Sequence, residues 1–145
     1  MRPIHLVYIV ITTLLLSCKK DEADPVAPII KFVSITTTQV ESFNNEVKVV
    51  FSYEDYQGDL GNEDPDILSV RVKDSRLASP DLYHIPPMTP NSQELRIKGE
   101  YELALETLFL IGNGNSETAT FTIEVRDRAG NWSNSIQTPT VTITP

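Results

Sequence analysis

The sequence predicts an all-β domain, a seven-stranded antiparallel sandwich of two sheets over residues 29–145. Two alternating runs predict it first. Val47, Val49, Phe51 and Tyr53 alternate with Glu46, Lys48, Val50 and Ser52, while Phe121, Ile123 and Val125 alternate with Thr120, Thr122, Glu124 and Arg126. A period of two buries one face of a strand and wets the other. The same period recurs at Leu68, Val70 and Val72, at Leu95 and Ile97, and at Val141 and Ile143. Between these runs lie Gly, Pro, Asn and Asp, which punctuate short strands rather than long helices. At 145 residues, 40% hydrophobic and 22% charged, the chain suffices for one globular domain with an ordinary core.

In chain order the strands are expected near residues 29–36, 46–54, 67–74, 93–98, 101–110, 118–127 and 137–144. The run YELALETLFLI at 101–111 is rich in the helix formers Glu, Leu and Ala. Its odd positions Tyr101, Leu103, Leu105, Phe109 and Ile111 also fit a strand, which is preferred because a helix would stand alone in an all-β chain. The run SPDLYHIPPMTP at 79–90 holds four prolines and is expected to be a surface connection between sheets. Threonine is frequent after residue 117, as expected of exposed strand faces. Seven such strands resemble an immunoglobulin-like or fibronectin III-like sandwich.

The N-terminus reads MRPIHLVYIVITTLLLSCKKDEADP. Arg2 supplies a positive start, and residues 6–16 form an apolar run too short to span a bilayer but fitting a signal peptide. The run ends at Leu15-Leu16-Ser17-Cys18, which resembles a bacterial lipobox, with Leu16 bulkier than usual for its position. The resemblance implies a signal peptide at 1–17 and a lipid on Cys18, the only cysteine in the chain. Two or three acyl chains hold a protein firmly, since each buried methylene contributes roughly 0.8 kcal/mol. Lys19, Lys20, Asp21 and Glu22 resemble the export signal of surface lipoproteins in the Bacteroidota. The implied location is the outer membrane, facing outward, with residues 18–28 as lipidated cysteine and linker.

VRDRAGNWSN at 125–134, followed by a Thr-rich strand, is similar to the last hairpin of bacterial Ig-like domains. FSYEDYQGDLGNEDPD at 51–66 adds a tyrosine, acids and Gly-Asp-Leu-Gly. Together with the lipobox, these make the chain resemble small Bacteroidota lipoproteins with one Ig-like domain. That resemblance names no reaction.

Composition excludes several classes. A net charge of −8, with no basic stripe, argues against a nucleic-acid partner. One cysteine forms neither an internal disulfide nor a multi-thiolate zinc site. His5 lies in the segment expected to be removed, which leaves His84 without a second histidine or thiol. There is no GxSxG elbow, and IGNGNS at 111–116 matches no phosphate-binding glycine pattern. No catalytic residue is expected.

The run EDYQGDLGNEDPD at 54–66 holds six carboxylates, two glycines and a proline. It is not an EF-hand: with Asp55 at the first position, Leu60 falls where the turn glycine must be and Asp66 where a bidentate glutamate is needed. The expected fold supplies another route. Loops 55–66 and 127–136 should share one end of the sandwich, bringing Asp127 and Asn131 towards Asp55 and Asp59. Asp64 and Asp66 complete a candidate calcium ligand set, with Glu63 and Asp24 in reach, resembling inter-loop sites of cadherin-like modules. The alternative is a solvated acidic loop, because Asp, Asn and Gly are also the usual turn formers. Trp132 and Tyr56 are candidate sugar-stacking residues, against the alternative that Trp132 packs over the sandwich end.

The expectation is therefore a lipid-anchored envelope module with a binding or structural role, no catalysis, and a protein or glycan partner. The alternative is a surface glycan- or ligand-binding lipoprotein, calcium-stiffened or not.

Overall fold

The computed structural model describes residues 24–44, 46–89 and 95–145, so the expected signal peptide at 1–17, the expected lipidation residue Cys18 and the expected export residues Lys19, Lys20, Asp21 and Glu22 lie outside the described residues. The described residues are all-β, with ten strands in three sheets. They are β1 (Ile29–Ile35), β2 (Gln39–Glu41), β3 (Lys48–Asp55), β4 (Val70–Asp74), β5 (Asp81–Tyr83), β6 (Ile97–Ala104), β7 (Glu117–Ala119), β8 (Phe121–Val125), β9 (Ile136–Gln137) and β10 (Val141–Thr144). One sheet runs β1-β3-β6, a second β5-β4-β8-β9 and a third β2-β10-β7. All pairings are antiparallel except β2 with β10.

The alternation read from the sequence sets the core. Val49 and Phe51 of β3, Val70 and Val72 of β4, Ile123 and Val125 of β8, and Val141 and Ile143 of β10 all turn inward and are buried. With Ile30 of β1 and Leu103 of β6 they form one apolar cluster shared by the sheets, as in a β-sandwich.

Ten strands replace the expected seven, for local reasons. The run 118–127 breaks at Thr120, whose N–H donates to the Ser75 hydroxyl at 3.0 Å while its carbonyl accepts the Ser75 N–H at 3.0 Å. The run 137–144 breaks at Thr138, whose N–H and hydroxyl both bond the Phe121 main chain. Pro139 follows with no N–H to extend that ladder. At each break the chain passes from one sheet to another. Residues 93–98 and 101–110, expected as two strands, are represented by the single strand β6, which runs through Gly99 and Glu100. Beyond Ala104 the chain leaves the ladder. Leu105 and Leu108 are buried there, whereas Phe109 and Ile111 are exposed, against the alternation expected of them. Leu68 and Leu95 are likewise exposed because each precedes its strand.

The proline-rich run is more than a surface connection. It contributes the three-residue edge strand β5 and the fully buried Ile85, whose neighbours line the loop after β3. Edge strands tolerate proline because one row of their N–H groups needs no partner.

Candidate functional site

The loops after β3 and β8 meet at one end of the domain. Their contact begins with an antiparallel bridge between Leu60 and Asp127. The Arg128 N–H donates to the Asp59 carbonyl at 3.1 Å, and the Ala129 N–H donates to Asp59 Oδ2 at 3.1 Å. The Arg128 guanidinium reaches the Gly61 carbonyl at 2.9 Å and the Gly58 carbonyl at 3.4 Å. Arg128 was not legible as a site residue, because an arginine in a turn reads as a solvated charge.

Each loop is shaped by a buried aspartate. Asp55 Oδ1 accepts the Gln57 N–H at 3.1 Å and Oδ2 accepts the Leu60 N–H at 2.9 Å. This folds the chain back within five residues, through Gly58 at φ 70°. Asp127 Oδ1 accepts the Asn131 N–H at 2.7 Å and Oδ2 accepts the Asn131 side-chain amide at 2.9 Å, closing the second turn. Segment 85–89 seals the side: the Met88 N–H donates to the Leu60 carbonyl, the Asn62 N–H to the Ile85 carbonyl, and the Thr89 hydroxyl to the Gly58 carbonyl at 2.7 Å.

Asp59 is the electrostatic centre of this end. Its carboxyl is raised above the usual aspartate range, first by burial and then by the charges of Asp127 and Asp55. The Ala129 N–H and the Arg128 charge act in the opposite direction. Asp59 Oδ1 is buried without a hydrogen-bond partner.

The expected calcium set is thus divided. Asp55, Asp59, Asp127 and Asn131 come together, while Asp64 and Asp66 are exposed on the outer turn, where Asp64 Oδ1 accepts the Asp66 N–H at 3.0 Å. Among the described residues, no group of three or more His, Cys, Asp or Glu side chains is arranged to hold a metal ion. Asp24 is exposed and lies near Arg96, adding to the larger effect of Glu54 in favouring its charged form.

Both candidate sugar-stacking rings carry an arginine. The Arg96 guanidinium lies 4.2 Å from the Tyr56 ring centre and donates to its hydroxyl at 3.0 Å. Arg71 lies 4.2 Å and Arg126 5.3 Å from the Trp132 ring centre, and Arg71 also pairs with Glu124. Trp132 is half-buried and bridges back to Arg126. His84 is half-buried, with Nδ1 3.1 Å from the Ile67 carbonyl.

The opposite end is built differently. Phe43, 73% exposed, is held at φ 63° and stacks on Phe109 with ring centres 5.3 Å apart and planes within 1°. A positive φ is unusual for a bulky side chain. The Phe43 N–H donates to the Leu108 carbonyl at 3.0 Å, which secures it. Beside this pair, Arg76 joins Asp74, Glu117 and the Phe109 carbonyl.

Comparison with protein-family models, curated proteins and solved structures returned no match.

Proposed function

We propose that the chain is a lipid-anchored, immunoglobulin-like module of the outer cell envelope, exposed at the cell surface and serving a binding or structural role rather than catalysis. The strand order supports the immunoglobulin-like part of this reading. The sheet β1-β3-β6 shares a core with β5-β4-β8-β9, and β2 crosses over to run parallel to β10.

One observation carries the binding role. Ile29 lies opposite Glu54, so a chain anchored at Cys18 would reach the domain at the acidic end. The exposed Phe43–Phe109 pair lies at the other end, furthest from such a tether. A strained backbone holding an exposed aromatic ring is the kind of outlier from which a function is inferred. A protein contact fits better than a sugar, because Tyr56 and Trp132 are already engaged by arginines.

Fatty-acid labelling in cells tests the anchor: label should enter the wild type and be absent from Cys18→Ser. Protease shaving of intact cells tests exposure, with protection of the domain counting against it. A photo-crosslinking residue at position 43 tests the contact. Crosslinks from there, and none from the acidic position 64, support binding through the aromatic end; none from either leaves the structural role.

A further inference from the structure

The ends and edges of the sheets are not equally protected. Exposed strand edges invite pairing with another chain, so soluble proteins blunt them. In the sheet β1-β3-β6, the β1 edge is blunted twice. A register shift interrupts β1 between Phe32 and Ser34. The Asn134 side chain also bonds both main-chain groups of Ile30, accepting from its N–H and donating to its carbonyl, each at 2.9 Å. At the edges of the other sheets, β2, β5 and β7 have three residues each and β9 has two.

The β6 edge has neither device. It runs eight residues in continuous register with β3, from Ile97 opposite Asp55 to Ala104 opposite Lys48. The phase of that ladder follows from the Leu105 N–H, which donates to the Val47 carbonyl directly across from it. Hydrogen-bonded pairs alternate along an antiparallel ladder. The odd-numbered residues of β6 therefore bond β3, and Lys98, Glu100 and Glu102 turn their N–H and C=O groups to the free edge. No described residue accepts from or donates to those outward groups.

The charges along this edge are self-complementary. Arg96 and Lys98 precede Gly99, and Glu100 and Glu102 follow it, all with exposed side chains. A second β6 related by a two-fold axis through Gly99 sets Lys98 against Glu100 of the other copy and Arg96 against Glu102, each pair occurring twice. The registers on either side are worse, since centring on Lys98 sets lysine against lysine and centring on Glu100 sets glutamate against glutamate, and centring on Tyr101 sets Glu100 against Glu102 twice. Only registers that keep even positions opposite even ones preserve the inner and outer faces. Centring on Gly99 also makes the outward-turned pair of Lys98 and Glu100 the hydrogen-bonded one. On the inner face, exposed Leu95 would come opposite Leu103, and half-buried Ile97 opposite Tyr101. Lys98 and Glu100 carry no ion pair among the described residues, whereas Arg96 and Glu102 already touch Glu54 and Lys48. The central pair therefore carries the specificity.

We propose that a second copy of this chain docks on β6, antiparallel and centred on Gly99, making one six-stranded sheet with the order β1-β3-β6 mirrored across the two-fold. This is an isologous contact, so it closes on itself and forms dimers rather than fibres. It does not depend on the anchor or on the aromatic end.

Sedimentation velocity of the full chain in mild detergent, over a range of protein concentrations, tests it. The wild type should dimerise. Lys98→Glu, which sets like charges across the axis twice, should weaken dimerisation by at least about tenfold. The exchange Lys98→Glu with Glu100→Lys keeps opposite charges across the axis and should restore it. Glu100→Pro removes an N–H that only the edge uses and should also give monomer, with melting profiles checking that each variant is folded. A wild type that stays monomeric at every concentration overturns the proposal, as does a dimer indifferent to Lys98→Glu. A double exchange that stays monomeric overturns the register.

Discussion

Asp59 Oδ2 accepts the Ala129 main-chain N–H at 3.1 Å, across 70 residues of sequence. This bond, with the Arg128 N–H on the Asp59 carbonyl, joins the loop after β3 to the loop after β8. The acidic run is therefore a clasp made largely of carboxylates accepting main-chain N–H groups. Charge-assisted acceptors suit this task because each strengthens the bond it receives.

Asp59 contributes to the clasp at an electrostatic cost. Burial and the charges of Asp127 and Asp55 raise its carboxyl above the usual aspartate range. A folded-state value above the unfolded one gives stability that is full at low pH and lost as pH rises through the folded value. Asp59→Asn should then raise the melting temperature at neutral pH, with the gain shrinking to nothing below the ordinary aspartate range of about 3.9. A lower melting temperature at neutral pH would sink this account. Millimolar calcium that raised the melting temperature of the wild type, but not of Asp59→Asn, would make the same carboxylates a cation site.

Replacing Asp55 should instead destabilise the domain. It is fully buried, and its two oxygens hold the Gln57 and Leu60 N–H groups. Asp55→Ala strands both donors and should cost about 2–4 kcal/mol by urea denaturation. Asp55→Asn keeps one good acceptor and should cost less. Equal losses in the two variants would mean that packing, not these hydrogen bonds, sets the effect.

The glycines give a graded test of the same end. Gly61 has φ 85°, and a Cβ there would lie 2.1 Å from the Pro86 carbonyl oxygen. Gly130 has φ 97° with nothing within 4 Å of the Cβ position. Gly130→Ala should cost about 1 kcal/mol, the conformational penalty alone. Gly61→Ala must also displace main chain and should cost clearly more. A thermal melt that ranked them the other way would remove segment 85–89 from the clasp.

Much of this architecture was legible, and the limits are physical. Alternation located β3, β4 and the inward faces of β8 and β10, because a buried face repeats every second residue. It also led to the meeting of Asp55 and Asp59 with Asp127, since sheet topology decides which loops share an end. Alternation could not show that the run changes sheet at Thr120, because buried Ala119 and Phe121 stay in phase across that break; at Thr138 the phase does shift, from buried Thr138 to buried Val141, but a buried threonine reads as an outward position. It failed at Phe109 and Ile111, where the chain has left the ladder and a different spacing buries Leu108. Charge patterning gave no warning that Arg128, Arg71 and Arg96 serve as partners, because a guanidinium finds carbonyls and rings that only the fold brings near.

The far end offers a pH response of the opposite sign to that of Asp59. Glu117 accepts the Gly112 N–H at 2.6 Å and the Ile111 N–H at 3.0 Å, and pairs with Arg76 at 2.8 Å. These partners, the main-chain bonds first, hold its carboxyl below the ordinary 4.5. A depressed folded value gives stability present above the unfolded value and lost as pH falls through the folded one. The amide resonances of Ile111 and Gly112 should therefore titrate together, with a midpoint below the ordinary 4.5. Arg76 links this loop to buried Asp74, which accepts its guanidinium at 2.7 Å. Arg76→Met would leave the Asp74 charge buried without its partner and should cost about 3 kcal/mol. The Ile111 and Gly112 midpoint should move up in that variant while staying below the unperturbed value, because the two main-chain bonds remain. A midpoint unmoved by Arg76→Met would show that the loop holds Glu117 without help from the arginine.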